Sequence, residues 1–200
     1  MPPNLNFEYQ LWQKGYHYIA GIDEAGRGCL AGPVVVAAVI FPVGIKLNGV
    51  EDSKKLSPKI REKYFLKIQK KALAISIALG MPEEIEKFNI LGASLRTMKR
   101  AILGLKIKPD YILIDGPYNP DIDIPYICII HGDSKCFSIA AASIIAKVYR
   151  DQIMTTYHDL FPCYNFKQNK GYPTLEHKAA IMKYGPCYLH RLNFRLPRYD

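Results

Sequence analysis

Four carboxylates stand where an apolar run gives way to a polar loop. Asp23 and Glu24 close residues 18–22, Asp115 closes residues 111–114, and Asp133 follows residues 126–130. If the four converge, they repel. Two unit charges about 4 Å apart cost roughly 4 kcal/mol at an effective dielectric near 20, against a domain stability of about 5–15 kcal/mol. A divalent cation removes that repulsion, and an all-oxygen carboxylate set suits Mg²⁺ or Mn²⁺. The competing reading makes each acid a helix cap or a loop former. It has most force for Asp133, just ahead of a helical pattern, and least for Asp23 beside Glu24, because an acid pair ending a buried strand has little structural use.

Strand alternation sends Asp23 and Glu24 to opposite faces, so both serve one site only if the chain turns at Glu24. Ala25-Gly26-Arg27-Gly28 permits that turn, since glycine reaches positive φ without steric cost. Gly26, Arg27 and Gly28 could also present backbone N–H groups and a guanidinium to a phosphate or sugar hydroxyl. Lys54 and Lys55 sit in a short loop before a capped helix, where phosphate contact and plain solvation are both open. Tyr172 lies between Gly171 and Pro173 in a basic, aromatic segment that also holds Tyr164, Phe166, Lys167 and Lys170. The proline biases Tyr172 toward extended backbone, leaving its ring to stack on a sugar or base or to pack in the core. The five histidines show no HxH or HExxH spacing, which disfavours a histidine metal site. The absence of GxSxG and Walker A patterns leaves acyl transfer and nucleotide hydrolysis without support.

The 200 residues suit one large domain or one domain with an appended piece. At 49% hydrophobic and 22% charged the composition is that of an ordinary soluble globule, and a net charge of +9 fits a polyanionic partner. The five cysteines are odd in number and lack a CxxC pair, so reduced thiols and a cytoplasmic location are expected. No apolar h-region or 18-residue apolar window is present, so neither a signal peptide nor a membrane span is expected.

Stepping along the chain, strands are expected over residues 17–23, 34–41, 73–79, 111–115 and 126–130. Helices are expected over 58–71, with Ser57 as cap and Pro58 at its first position, then over a short acidic segment from Pro82, over 90–103, over 137–157 and over 175–183. The 137–157 helix carries Ala140, Ala141, Ala142, Ser143 and Ala146, small enough to sit close against a sheet. The basic tail, 188–200, is expected to pack loosely. Strands alternating with helices indicate an α/β architecture, with the later helices forming a C-terminal lobe.

Together these residues resemble a known family. Asp23-Glu24-Ala25-Gly26-Arg27-Gly28 with Leu30-Ala31-Gly32-Pro33, and Asp52-Ser53-Lys54-Lys55-Leu56, match ribonuclease HII, the type 2 ribonuclease H, in its bacterial branch. So do Ile114-Asp115-Gly116, Gly132-Asp133-Ser134-Lys135, the helix from Ile139 to Val148 with Arg150-Asp151, Gly171-Tyr172 and His190-Arg191. The match runs in order over residues 18–195. It implies an α/β, ribonuclease H-like mixed central sheet flanked by helices, with a small helical C-terminal lobe: an N-terminal extension (1–16), a catalytic core (17–160) and a substrate-binding segment and tail (161–200).

The resemblance also implies the activity. Asp23, Glu24, Asp115 and Asp133 would hold two Mg²⁺ or Mn²⁺ ions for hydrolysis of RNA in RNA/DNA hybrids and 5′ of single ribonucleotides in duplex DNA, leaving 3′-hydroxyl and 5′-phosphate ends. Gly26, Arg27 and Gly28 would read the ribose 2′-hydroxyl, Tyr172 would stack on the sugar beside the cut, and Lys54 would contact phosphate. The partner would be the nucleic acid, with no membrane, no small-molecule cofactor and a monomeric protein. The sequence departs from the family pattern at Cys29, where proline is usual, at Pro173, where many members have glycine, and at Arg191-Leu192-Asn193-Phe194. None of these is an implied metal ligand. A four-way junction resolvase would share the acids and the charge; a non-catalytic binding module would have no use for acids facing a polyanion.

Overall fold

The computed structural model describes residues 2–47, 49–51 and 53–198; Asp52 of the Asp-Ser-Lys-Lys motif and the last two residues of the tail lie outside them. Five strands form one mixed sheet: β1 (Ile19–Ala25), β2 (Val34–Ile40), β3 (Ala74–Gly80), β4 (Tyr111–Asp115) and β5 (Tyr126–Ile129), in the order β3-β2-β1-β4-β5. β1 runs antiparallel to β2, and β2 to β3, while β4 lies parallel to β1 and β5 parallel to β4. The expected strands are all present, within two residues at each end. Every residue of β2 is buried, as its unbroken apolar run requires of a central strand covered on both faces.

Among the described residues there are six α-helices: α1 (Asn6–Gln13), α2 (Pro58–Lys71), α3 (Pro82–Leu103), α4 (Phe137–Leu160), α5 (Phe166–Asn169) and α6 (Leu175–Tyr184). On one face Met98, Ala101 and Ile102 of α3 pack on Ala20, Ile22, Ile112 and Ile114. On the other, α4 crosses β1 so closely that a Cβ on Gly21 would lie 2.2 Å from the Ser138 carbonyl carbon. The small-residue run of α4 is fully buried there. The two helices expected after Pro82 are one broken element: Asn89 leaves helical geometry at φ 55, and its side chain accepts from the N–H groups of Leu91 and Gly92 to start the second half.

Two departures have local causes. No element is expected over the first sixteen residues, the N-terminal extension, yet α1 forms and its buried Glu8 accepts from the backbone N–H of Ser138 at 2.8 Å. It supplies the acceptor that Cys136, at the N-cap of α4, does not. The tail does not pack loosely throughout: Leu189, His190 and Arg191 are at most 1% exposed, in a core shared with Leu30, Ala31, Met154 and Phe166. All five cysteines are free. Among the described residues no helix is long and apolar enough to cross a membrane.

Candidate active site

The site forms where β1 and β4 end. Ile22 pairs with Ile114 in parallel register, so Asp23 and Asp115, each one residue further on, stand side by side on the same face. Asp23 is 4% exposed and bonds to Ser143 of α4. Asp115 accepts from the Gly132 N–H at 2.6 Å, which ties the strand end to the 3₁₀ turn Gly132–Ser134 carrying Asp133. Asp133 is 5% exposed and takes the Lys54 ammonium at 2.9 Å. It does not cap α4.

The chain does not turn at Glu24, contrary to expectation. β1 runs on through Ala25, with Glu24 paired to Val36, and the turn starts at Gly26, whose φ is 99. Glu24 reaches the cleft because it lies at the rim, where the Arg27 guanidinium donates to its Oε1 at 3.2 Å. Its Oε2 is buried with no hydrogen-bond partner.

Asp23, Glu24, Gly26, Arg27, Gly28, Ser53, Lys54, Asp115, Ser143, Lys147 and Tyr172 line one cleft of about 230 Å³. A larger hollow of about 600 Å³ lies beside Phe7, Lys55 and Lys135 and holds none of the acids; chemistry rather than volume singles out the smaller one. Within it the carboxylates are held away from their ordinary values. Burial raises Asp23 well above its normal range, and the Glu24 and Asp115 charges push the same way. Burial raises Glu24 against the pull of Arg27. Burial also raises Asp115, opposed by the Gly132 N–H and reinforced by Asp133. Buried carboxylates whose ionisation is disfavoured for want of positive charge mark a place for a cation. As placed among the described residues, no three His, Cys, Asp or Glu side chains close around a single point. The donor chemistry nevertheless fits a hard divalent ion: all oxygen, with one buried carboxylate oxygen unpartnered.

Several functional neighbours were not singled out from sequence. Ser143, Lys147 and Arg150 recur at i, i+4 and i+7 on α4, one face of a helix, and that spacing was the available signal. Ser143 also meets Ser53 at 2.9 Å, tying the Ser-Lys-Lys loop to Asp23. Lys147 lies over the Tyr172 ring, 5.1 Å from its centroid. Arg150 and Arg191 are fully buried. Arg150 donates to the carbonyls of Pro33, Ala31 and Lys170, and Arg191 to those of Gly32 and Arg27. They pin the glycine loop from behind, and a Cβ on Gly26 would strike Arg150 Nε at 2.0 Å. Of the aromatic segment, Tyr164 and Phe166 are core residues; Tyr172, 37% exposed, reaches the cleft.

A mixed five-stranded sheet whose parallel strand ends carry acids beside Arg27, Lys54 and Lys147 defines an α/β, ribonuclease H-like nuclease. Comparison with known proteins makes the class specific. The family model of ribonuclease HII matches residues 20–196, and the chain belongs to that family. It is 50% identical over 190 residues to the ribonuclease HII of Lactobacillus johnsonii, covering 95% of this chain and 75% of that protein. It is 53% identical over 188 residues to that of Clostridioides difficile, covering 94% and 74%. Among solved structures it is similar to the ribonuclease HII of Archaeoglobus fulgidus, seen in a complex with PCNA, at a TM-score of 0.76 and 26% identity over 92% of this chain and 98% of that one. The ribonuclease H2 of Pyrococcus horikoshii follows at a TM-score of 0.71 and 26% identity over 88% and 93%. A ribonuclease HIII solved with Mn²⁺, at a TM-score of 0.67 and 20% identity over 90% and 68%, shares the fold. The protein is thus an endoribonuclease of the ribonuclease H class, a phosphodiester hydrolase of a metal-dependent family.

Proposed function

We propose that the protein hydrolyses the RNA strand of RNA/DNA hybrids and cuts 5′ of single ribonucleotides embedded in duplex DNA, leaving 3′-hydroxyl and 5′-phosphate ends. The observation that carries this reading is the convergence on one cleft of strand-end acids with a glycine-arginine loop and an aromatic ring. Asp23, Glu24, Asp115 and Asp133 would hold Mg²⁺ or Mn²⁺, two ions when substrate is present. The chemistry such ions supply is activation of water and stabilisation of charge on the departing oxygen.

The chain's own residues do the rest. Ser143 and the Glu24 N–H, which donates to Asp23 at 2.7 Å, orient the Asp23 carboxylate. The backbone of Gly26 and Gly28 approaches the ribose, and Arg27, with its side chain 42% exposed at the rim, grips a phosphate. The 2′-hydroxyl separates RNA from DNA at this point. Tyr172 stacks on the neighbouring sugar and selects the RNA-to-DNA step. Lys54 offsets the acids through Asp133, and its exposed stem reaches toward a phosphate of the bound strand. The protein works as a single copy in the cytoplasm, where its free thiols stay reduced.

The test is a duplex with one embedded ribonucleotide, set against an otherwise identical all-DNA duplex, each with Mg²⁺ or Mn²⁺. Cleavage immediately 5′ of the ribonucleotide, and none in the DNA control, is expected. No cut at the ribonucleotide would favour a nuclease of the same fold acting on DNA junctions.

A further inference from the structure

Behind Tyr172 lies a pair of buried histidines that the chemistry above does not use. His177 on α6 is fully buried and His190 is 1% exposed. Their Nε2 atoms are 3.1 Å apart. His177 Nδ1 is 2.9 Å from the Tyr172 carbonyl oxygen, and the Cys187 backbone N–H donates to His190 Nδ1 at 2.9 Å. Tyr164 and Phe166 box the pair in, with Tyr164 edge-on to His190 at 4.7 Å and Phe166 edge-on to His177 at 5.4 Å.

These contacts dictate where the protons are. A backbone N–H can only donate, so His190 Nδ1 is bare; the Cys187 carbonyl and thiol sulfur, each 3.3 Å from the same nitrogen, are the longer contacts. A neutral imidazole carries one proton, which for His190 is therefore on Nε2, donated to His177 Nε2. His177 in turn must carry its proton on Nδ1, aimed at the Tyr172 carbonyl. The direction is set at Cys187 and ends at Tyr172. Burial supports the neutral state of both rings, lowering His177 and bringing His190 down to about 4. A charged His177 would set its Nε2–H against that of His190, and a charged His190 would set an Nδ1–H against the Cys187 N–H; either breaks the relay. At its other end the tyrosine hydroxyl bonds the buried Cys29 thiol, where the family pattern has a proline that could not do so.

We infer that His177, with its proton placed by His190, is a positioning residue that holds Tyr172 in its substrate-stacking orientation. The inference rests on the reading of Tyr172 as the sugar-stacking residue. It adds a specificity element at the C-terminal lobe, remote from the acids and acting through the Tyr172 backbone.

Two substitutions of one position separate this from a packing role. Asn places an amide N–H as many bonds from Cα as His Nδ1, whereas Gln places one at the distance of Nε2. His177→Asn retains the bond to Tyr172; His177→Gln keeps only the side facing His190. On the embedded-ribonucleotide duplex, His177→Gln is expected to lower kcat about tenfold with KM little changed, and His177→Asn to stay within about threefold of the parent. Tyr172→Ala with His177→Gln is expected to be no worse than Tyr172→Ala alone, because the two act as one unit. If Gln serves as well as Asn, the relay has no positioning role. If Tyr172→Ala loses kcat while His177→Gln does not, the inference fails and the stacking reading stands; if Tyr172→Ala loses nothing, the stacking reading itself fails. Should the variants not fold, ¹⁵N-histidine NMR of the unaltered protein at neutral pH decides the proton placement. Nδ1–H on His177 and Nε2–H on His190 are expected, and the opposite tautomers would overturn the assignment.

Discussion

The acid corner and the basic clamp behind it bury charge in opposite ways. At the corner, Asp23, Glu24 and Asp115 are raised above their ordinary range, and one Glu24 oxygen has no partner. In the clamp, Arg150 and Arg191 are fully buried but donate to five backbone carbonyls between them, those of Arg27, Ala31, Gly32, Pro33 and Lys170. The clamp is complete within the protein; the corner is complete only with something positive added. A buried group with all its partners stiffens a scaffold, whereas one left short marks where a ligand belongs.

The comparison is broken most directly at the corner. Asp115→Asn is expected to abolish cleavage while duplex affinity stays within about threefold, because binding is carried by phosphate contacts. Unchanged turnover would mean that Asp115 is not part of the reacting site. In the clamp the expected loss is of fold. Arg150→Met leaves the Pro33, Ala31 and Lys170 carbonyls without their donors and should cost about 3–5 kcal/mol in urea unfolding. A cost below about 1 kcal/mol would mean that the loop holds itself.

Removing one acid should have the reverse sign in the absence of metal. Asp23→Asn relieves repulsion, so with EDTA its Tm should exceed the parent's, by about 2–4 °C for each kcal/mol relieved. The pH dependence follows from the direction of the shift. A carboxyl raised on folding binds its proton more readily in the native state, so stability falls as pH rises from the unfolded value of 3.8 through the raised folded one. The advantage of Asp23→Asn over the parent should therefore be small near pH 4 and full above the raised value, and saturating Mg²⁺ should reduce it. A difference that does not vary with pH would show that Asp23 carries no such strain. The smallest effect belongs to Lys54, whose side chain is 76% exposed. Lys54→Met should lower metal-free stability by less than about 1 kcal/mol and reduce the slope of log affinity against log salt by about 0.9. An unaltered slope would remove Lys54 from the phosphate contacts.

Much of the sheet and most helices were legible because burial pattern and capping are local. Residues 34–40 announce a central strand by apolar content alone, and Ser57-Pro58 starts a helix in sequence as in space, with Ser57 accepting from the Ile60 N–H at 3.4 Å. Asp23 and Asp115 were readable as strand-end acids for the same reason. The turn expected at Glu24 comes two residues later, because pairing to Val36 carries β1 past the acid pair, and a pairing partner is not visible in the strand itself.

What the residues determined on their own was therefore most of the elements, the acids at their ends and the family. Tertiary structure alone decided which far-apart groups complete each other. Arg191 finds the Gly32 carbonyl 159 residues away, Ser138 finds Glu8 across 130, and the two histidines align only once α6 and the tail close on the loop after β1. Periodicity and caps are written in adjacent residues, but the acceptor for a guanidinium or an imidazole is a backbone group of no particular residue type, and only the folded chain brings it within reach.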